Sequence, residues 1–186
     1  ETIHEPRTIW VATDDALEQL TQNGGRNWKN VTPKGLEEGI INSIEISPHD
    51  PGKVYITLMR YKFGDLTPYI YRSANYGKSW SRLNRGMPNN MFARVVREDP
   101  AREGLLYAGT ENGIYISLDD GRNWQPFQLN LPTVPITDLT IRNNDLVAST
   151  QGRSFWILDD LSPLHQYSNR IKKSKMHFFN PRPSYR

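Results

Sequence analysis

Apolar and polar residues alternate along this chain in short runs, and the runs recur in one order. The run "FARVVRED" (92–99) has the period of two that a half-buried strand shows. "DPAREG" turns the chain, "LLYAGT" (105–110) reads as a second strand, and "ENG" is a hairpin signal before a third, "IYISLD" (114–119). A fourth run, "NWQPFQL" (123–129), closes the unit. The same order appears upstream as "INSIEIS" (41–47), "VYITLMRY" (54–61), "YIYRSAN" (69–75) and "SWSRLN" (79–84). Here "KFGDLTP" lengthens the connection between the second and third strands. A first unit has "TIWVAT" (8–13), "LEQLTQ" (17–22) and "NWKNVT" (27–32), with a shortened first strand expected around "ETIH". A last unit has "ITDLTIR" (136–142), "DLVAST" (145–150) and "SFWILDD" (154–160).

The units share a turn. "TQNGGRNW" (21–28), "SANYGKSW" (73–80) and "SLDDGRNW" (117–124) fit one template: Ser or Thr, any residue, Asn or Asp, any residue, Gly, two of any type, Trp. The hydroxyl residues are Thr21, Ser73 and Ser117, and the Asn or Asp positions are Asn23, Asn75 and Asp119. The glycines are Gly25, Gly77 and Gly121, and the tryptophans are Trp28, Trp80 and Trp124. The fourth unit keeps a pair of aspartates in "DDLSPLH", with Asp159 in register 40 residues after Asp119, but lacks the Gly and Trp. Four-stranded units of 40–50 residues, dense in turn signals and without helical periodicity, predict an all-β fold, a β-propeller segment of about four antiparallel blades. The expected blades are 1–39, 40–90, 91–132 and 133–169, followed by a basic exit tail, 170–186.

The box has a structural reading. Asn or Asp side chains accept bonds from nearby backbone N–H groups, Gly supplies a positive φ, and Trp packs over the turn. A catalytic reading of "SLDDGRNW" fails on comparison. A glycosidase acid must ionise, and two of the three boxes carry Asn instead.

Composition narrows the function. Hydrophobic residues make up 37% of 186, little for one deep core and suited to several thin ones. Net charge is 23 − 20 = +3, yet six basic residues and no acids fall between Arg170 and Arg186, so the rest carries 17 − 20 = −3. The basic character lies in the tail and not on the folded body, which excludes a nucleic-acid reader. No apolar run approaches the roughly 18 residues of a membrane helix, so no membrane insertion is expected. There is no Cys, and His4, His49, His165 and His177 have no metal-site spacing. With no phosphate loop or nucleophile elbow either, no cofactor or metal is expected.

The three boxes, with "WVATDDALEQLTQNGGRNWKNVTP", "VVREDPAREGLLYAGTENGIYISLDDGRNWQPFQLNLP" and "LVASTQGRSFWILDDLSPL", resemble the Asp-box, or BNR, repeats of sialidases, xyloglucanases and sortilin-type propellers. The chain is most similar to the large bacterial proteins labelled BNR-repeat or sortilin-like glycosyl hydrolases. That resemblance implies a secreted or envelope-associated bacterial protein with further blades upstream. Those relatives often carry His where this chain has Gln151, and Gly where it has Ala16, so the first hairpin is expected to be distorted. Two functions fit: a binding or scaffold module for a glycan or a protein, and part of a glycoside hydrolase whose acids lie partly in other blades. A pair of acids facing one cleft from two different blades would separate them.

The best candidate for ligand contact is the insertion "MRYKFGDLTPY" (59–69), which brings together Arg60, Tyr61, Lys62, Asp65 and Tyr69. Arg153, in "QGRSFW", either points at a central channel or pairs with Asp159 or Asp160. Acid pairs recur at Asp14–Asp15, Glu37–Glu38, Asp119–Asp120 and Asp159–Asp160; the first falls in a tight hairpin that turn propensity explains, and neighbours in sequence predict neither the spacing of a glycosidase acid pair nor the oxygen set of a calcium site. An open arc of four blades leaves two blade faces bare, so partner blades or self-association are expected.

Overall fold

The computed structural model describes residues 4–182. Most of the first strand expected around "ETIH", and Arg186 of the tail, lie outside the described residues. Four antiparallel sheets follow one another along the chain, each built from strands in sequence order. The first contains β1 (Ile9–Ala12), β2 (Glu18–Thr21) and β3 (Lys29–Asn30). The second contains β4 (Ile40–Ile46), β5 (Val54–Arg60), β6 (Asp65–Ser73) and β7 (Ser81–Arg82). The third contains β8 (Ala93–Glu98), β9 (Leu106–Thr110), β10 (Gly113–Ser117) and β11 (Gln125–Pro126), and the fourth β12 (Ile136–Arg142), β13 (Asp145–Thr150) and β14 (Phe155–Leu158). The strand after each box is far shorter than its apolar pattern suggests, pairing over only two residues.

The core lies between sheets. Because side chains alternate across a strand, β5 sends Val54 and Ile56 back to Trp10, Leu20 and Val31 of the first sheet, and Tyr55 forward to Leu106 and Trp124 of the third. A strand buried on both faces needs no polar alternation, which explains the unbroken run "VYITLM". Ile114 and Ile116 repeat this forward packing against Ile136 and Leu139 of the fourth sheet. The first strands β4, β8 and β12 lie side by side along the inner edge.

Each inner strand carries one bulge at the same level. Asn42, Arg94 and Thr137 are extra residues opposite a partner strand that runs on in register, between the pairs Ile41/Ser43, Ala93/Val95 and Ile136/Asp138. A bulge re-aims side chains and strengthens twist. These three define equivalent positions in the three sheets.

Three features depart from the sequence reading. The insertion 59–69 is no open loop: β5 and β6 extend to meet at Arg60 and Asp65, closed by a single 3-10 turn at Tyr61–Phe63 with Gly64 at φ 72. The fourth sheet has no fourth strand among the described residues. The chain turns instead into two short helices, α1 (Ser162–Gln166) and α2 (Asn169–Lys173), the second capped by the Ser168 hydroxyl. Finally, Ser149 pairs with Phe155 where Gly109 pairs with Ile114, so the last hairpin has one extra residue. Asp160, and not Asp159, therefore stands where Asp119 does. Ala16 adopts φ 64 in the first hairpin, the left-handed conformation that favours Gly.

Candidate functional site

Most of the residues expected to contact a ligand in 59–69 are occupied with one another. Arg60 bonds Asp65 at 2.8 Å and the carbonyl of Glu38 at 2.9 Å, and forms an ion pair with Glu37. Tyr69 donates its hydroxyl to the same Asp65 at 2.7 Å, and Arg82 lies 4.3 Å over the Tyr69 ring. Burial opposes the charge of Asp65, but bonds from Thr67 and Tyr69 and the Arg60 charge outweigh it and hold the carboxyl at about 2. Tyr61 turns away and stacks on Phe92 of the third sheet at 5.5 Å. Lys62 is exposed, beside Phe63 at a small cavity shared with Asp14 and Glu38. The structure thus joins Arg60, Asp65 and Tyr69, and separates them from Tyr61. Arg153 lies two sheets away on the β13–β14 hairpin, exposed, with no ion pair among the described residues. The pairing with Asp159 or Asp160 does not form; Asp160 receives Asn144 and the Ser162 N–H instead.

The boxes share one geometry. The hydroxyl of Thr21, Ser73 or Ser117 accepts the N–H of Gly25, Gly77 or Gly121 at 3.0, 2.8 and 2.9 Å. The side-chain oxygen of Asn23, Asn75 or Asp119 accepts the N–H four residues on at 3.0, 2.9 and 2.8 Å. That acceptor oxygen is common to all three boxes; Asp119 also accepts the Asn123 side-chain amide at its other oxygen at 2.6 Å, and Asn75 donates its own amide to the Ser79 hydroxyl at 2.8 Å. Asp119→Asn keeps the shared bond but loses the one from the Asn123 side chain, so it is expected to cost about 1 kcal/mol, and Asp119→Ala, which loses both, about 2 kcal/mol; thermal unfolding of both variants checks this.

What the sequence did not show is that the second and third boxes also reach the preceding sheet. Trp80 Nε1 donates to the carbonyl of Val31 at 2.7 Å, and Trp124 Nε1 to that of Leu83 at 3.0 Å. A Cβ on Gly77 would meet the Val31 side chain at 2.6 Å, and one on Gly121 the Leu83 side chain at 2.5 Å. Glycine is required there for close approach as well as for φ.

The bulges build a site that alternation alone could not reveal. Asn42 and Ser43, Arg94, and Thr137 and Asp138 line one cavity of about 370 Å3 on the inner strands, with Arg97 at its side. Arg97 ties three sheets together. It bonds Ser43 at 3.1 Å and Glu45 at 3.4 Å on one side, and Asp138 at 2.7 Å and the Leu139 carbonyl at 2.9 Å on the other. Arg94 pairs with Glu111 at 2.7 Å, and its carbonyl accepts Asn42 and Thr57. Burial raises the Glu45 carboxyl to about 7, against the pull of Arg97. Among the described residues no aromatic side chain lines this cavity. No cluster of three or more potential metal ligands occurs among the described residues.

Four wedge-like sheets joined through their faces, with first strands gathered at one inner edge, match solved structures closely enough to fix the fold. The chain has the β-propeller fold. YCF48 bound to D1 peptide is 20% identical with a TM-score of 0.57, over 82% of this chain and 48% of that one. YCF48 from Cyanidioschyzon merolae is 16% identical with a TM-score of 0.60, over 87% and 52%. The GH74 xyloglucanase from Xanthomonas campestris is 14% identical with a TM-score of 0.64, over 83% and 28%. This propeller chain therefore spans about half the length of the YCF48 chains it matches. No protein-family model and no curated protein matches the sequence. In propeller terms the sheets are blades, and the bulged strands β4, β8 and β12 are the inner strands of blades 2, 3 and 4.

Proposed function

We propose that this propeller is a binding module that holds a protein segment against the inner strands. The carrying observation is the repeated bulge, which sets Asn42, Arg94 and Thr137 around one open polar cavity of about 370 Å3. That volume lies in the range of small-ligand and short-segment sites. Amide, guanidinium, hydroxyl and carboxylate groups suit the backbone and polar side chains of a peptide. A glycan site would call for an aromatic platform, and among the described residues the cavity has none. A peptide-bound YCF48 has the same fold. The boxes are assigned as Asp-box repeats serving as clasps, and the 59–69 hairpin as a braced rim. A secreted or envelope-associated setting fits the resemblance of the repeats. No helix among the described residues is long and apolar enough to cross a membrane.

A second reading rests on one observation. Glu45 of blade 2 and Asp138 of blade 4 pair with Arg97 from different blades, although only Asp138 lines the cavity. A carboxyl raised to about 7 is what a proton donor in glycoside hydrolysis requires. Against it, Glu45 also accepts the Glu98 N–H, so both of its oxygens brace the blades.

Parallel peptide and glycan libraries separate these readings. The wild-type chain is expected to retain peptides, and Thr137→Trp, which plugs the cavity from an exposed position, to weaken binding by about tenfold or more. Glu45→Gln should leave peptide binding in place. Glycan cleavage lost in Glu45→Gln would establish the enzyme reading instead.

A further inference from the structure

The exit helices are tied to blade 3. A ring nitrogen of His165 in α1 lies 2.9 Å from the carboxylate of Asp99, which is 0% exposed, and Arg102 donates to the Leu164 carbonyl. The Gln166 side chain braces the segment on itself, donating to the Asn180 carbonyl and accepting the Asn180 N–H, each at 2.9 Å. Between blades 2 and 3 the equivalent space is filled by a box, whose Asp120 pairs with Arg72 of β6. Arg72 and Ile116 each stand one residue before a box hydroxyl. Blade 4 has no complete box, and α1 and α2 stand there instead. They leave a cavity of about 440 Å3 against blade 3, larger than the inner-strand cavity and in the range of small-ligand sites.

The floor of this cavity is apolar, made by Ile116, Leu118 and the buried Trp124, and its walls carry donors. Arg102 spends one guanidinium nitrogen on Leu164. The Lys172 ammonium, the Tyr167 hydroxyl and the Gln125 amide have no hydrogen-bond partner among the described residues. Asp119 also lines the cavity, but its oxygens are held within their own turn by Ser117 and Asn123, which leaves the two cations without a counterion there. No acid occurs between residues 161 and 186, so the neighbouring Arg170, Lys173 and Lys175 add to the positive field. Successive blades meet mainly through Ile, Leu and Trp. Walls of cations and amides suit a polar ligand instead of a further blade.

We propose that this cavity binds a small organic anion, a hydroxylated molecule carrying a carboxylate or a phosphate. Arg102 and Lys172 hold its oxyanion by charge-assisted bonds. Tyr167 and Gln125 donate to its hydroxyl-bearing body, which rests on Leu118 and Ile116. The walls are already braced by His165 and Gln166, so little ordering opposes binding. The site stands apart from the inner strands and does not depend on a peptide binding there.

Isothermal titration calorimetry of the whole chain with glucuronate, a glucose phosphate and glucose tests this. At least one of the two anions should bind, and neutral glucose about tenfold or more weaker. The tighter anion names the oxyanion that the site prefers. Lys172→Gln should weaken that binding by about tenfold or more, and Lys172→Arg should retain it. Lys173→Gln, on the same helix but outside the cavity, should leave it unchanged. Circular dichroism confirms that each variant is folded. Three results would overturn the proposal: neither anion binding up to the millimolar range, glucose binding as tightly as the anions, or equal losses in Lys172→Gln and Lys173→Gln. The last would mean that the basic tail attracts anions diffusely.

Discussion

Replacing Trp124 with alanine is expected to lower the melting temperature by about 10 °C, whereas the same change at Trp28 should move it by no more than about 2 °C. The two residues hold the same place in the same sequence motif. Trp124 is 4% exposed in the interface between blades 2 and 3, and its Nε1 bonds the Leu83 carbonyl; Trp28 is 47% exposed. Truncating a buried Trp removes its transfer free energy and leaves a cavity, together about 3–5 kcal/mol. It also strands the Leu83 carbonyl. The Trp80→Ala variant should fall between, since Trp80 is only partly buried yet bonds Val31 and meets Trp10 edge-on at 6.4 Å. Melting at low protein concentration measures all three. Equal losses at Trp28 and Trp124 would show that the Trp serves its own turn and not the neighbouring blade.

Glu18→Ile should stabilise the protein, by more at pH 8 than at pH 5. Glu18 stands where Ile70 and Ile114 stand in the next two blades, three residues before the box hydroxyl. It is fully buried, and neither carboxylate oxygen has a hydrogen-bond partner among the described residues. Burial raises its carboxyl from the ordinary 4.5 to about 8. Below about pH 4.5 both folded and unfolded chains are protonated there, and ionisation costs nothing. Between about 4.5 and 8 the unfolded chain ionises while the folded one holds its proton. Stability then falls with rising pH by about 1.4 kcal/mol per pH unit at most. Isoleucine removes that slope, and Glu18→Gln should remove it too while keeping two buried polar groups. Urea unfolding of the three proteins at pH 5, 6.5 and 8 gives the comparison. A wild-type curve that is flat across this range would contradict the assignment.

The blades were legible because strand alternation and a box repeated three times are local signals, set within about ten residues. The hairpin role of Asn23, Asn75 and Asp119 followed from the same local chemistry. The reach of Trp80 and Trp124 to another blade was not legible, because it depends on how sheets stack. The inner-strand site was hidden for a related reason. A bulge adds one residue without breaking the apolar pattern, so "FARVVRED" reads as a plain strand although Arg94 is set out of register. The 59–69 segment misled in the opposite way. Its charged and aromatic residues look available in a row of letters, but Arg60, Asp65 and Tyr69 satisfy one another once β5 and β6 are paired.

Nuclear magnetic resonance of the chain, titrated with the tightest peptide from the library, tests the inner-strand site most directly. The largest shifts are expected on the backbone amides of Asn42, Arg94 and Thr137 and on the side-chain Nε signals of Arg94 and Arg97. Shifts confined to the 59–69 hairpin or to the box turns, with the inner strands unmoved, would contradict it.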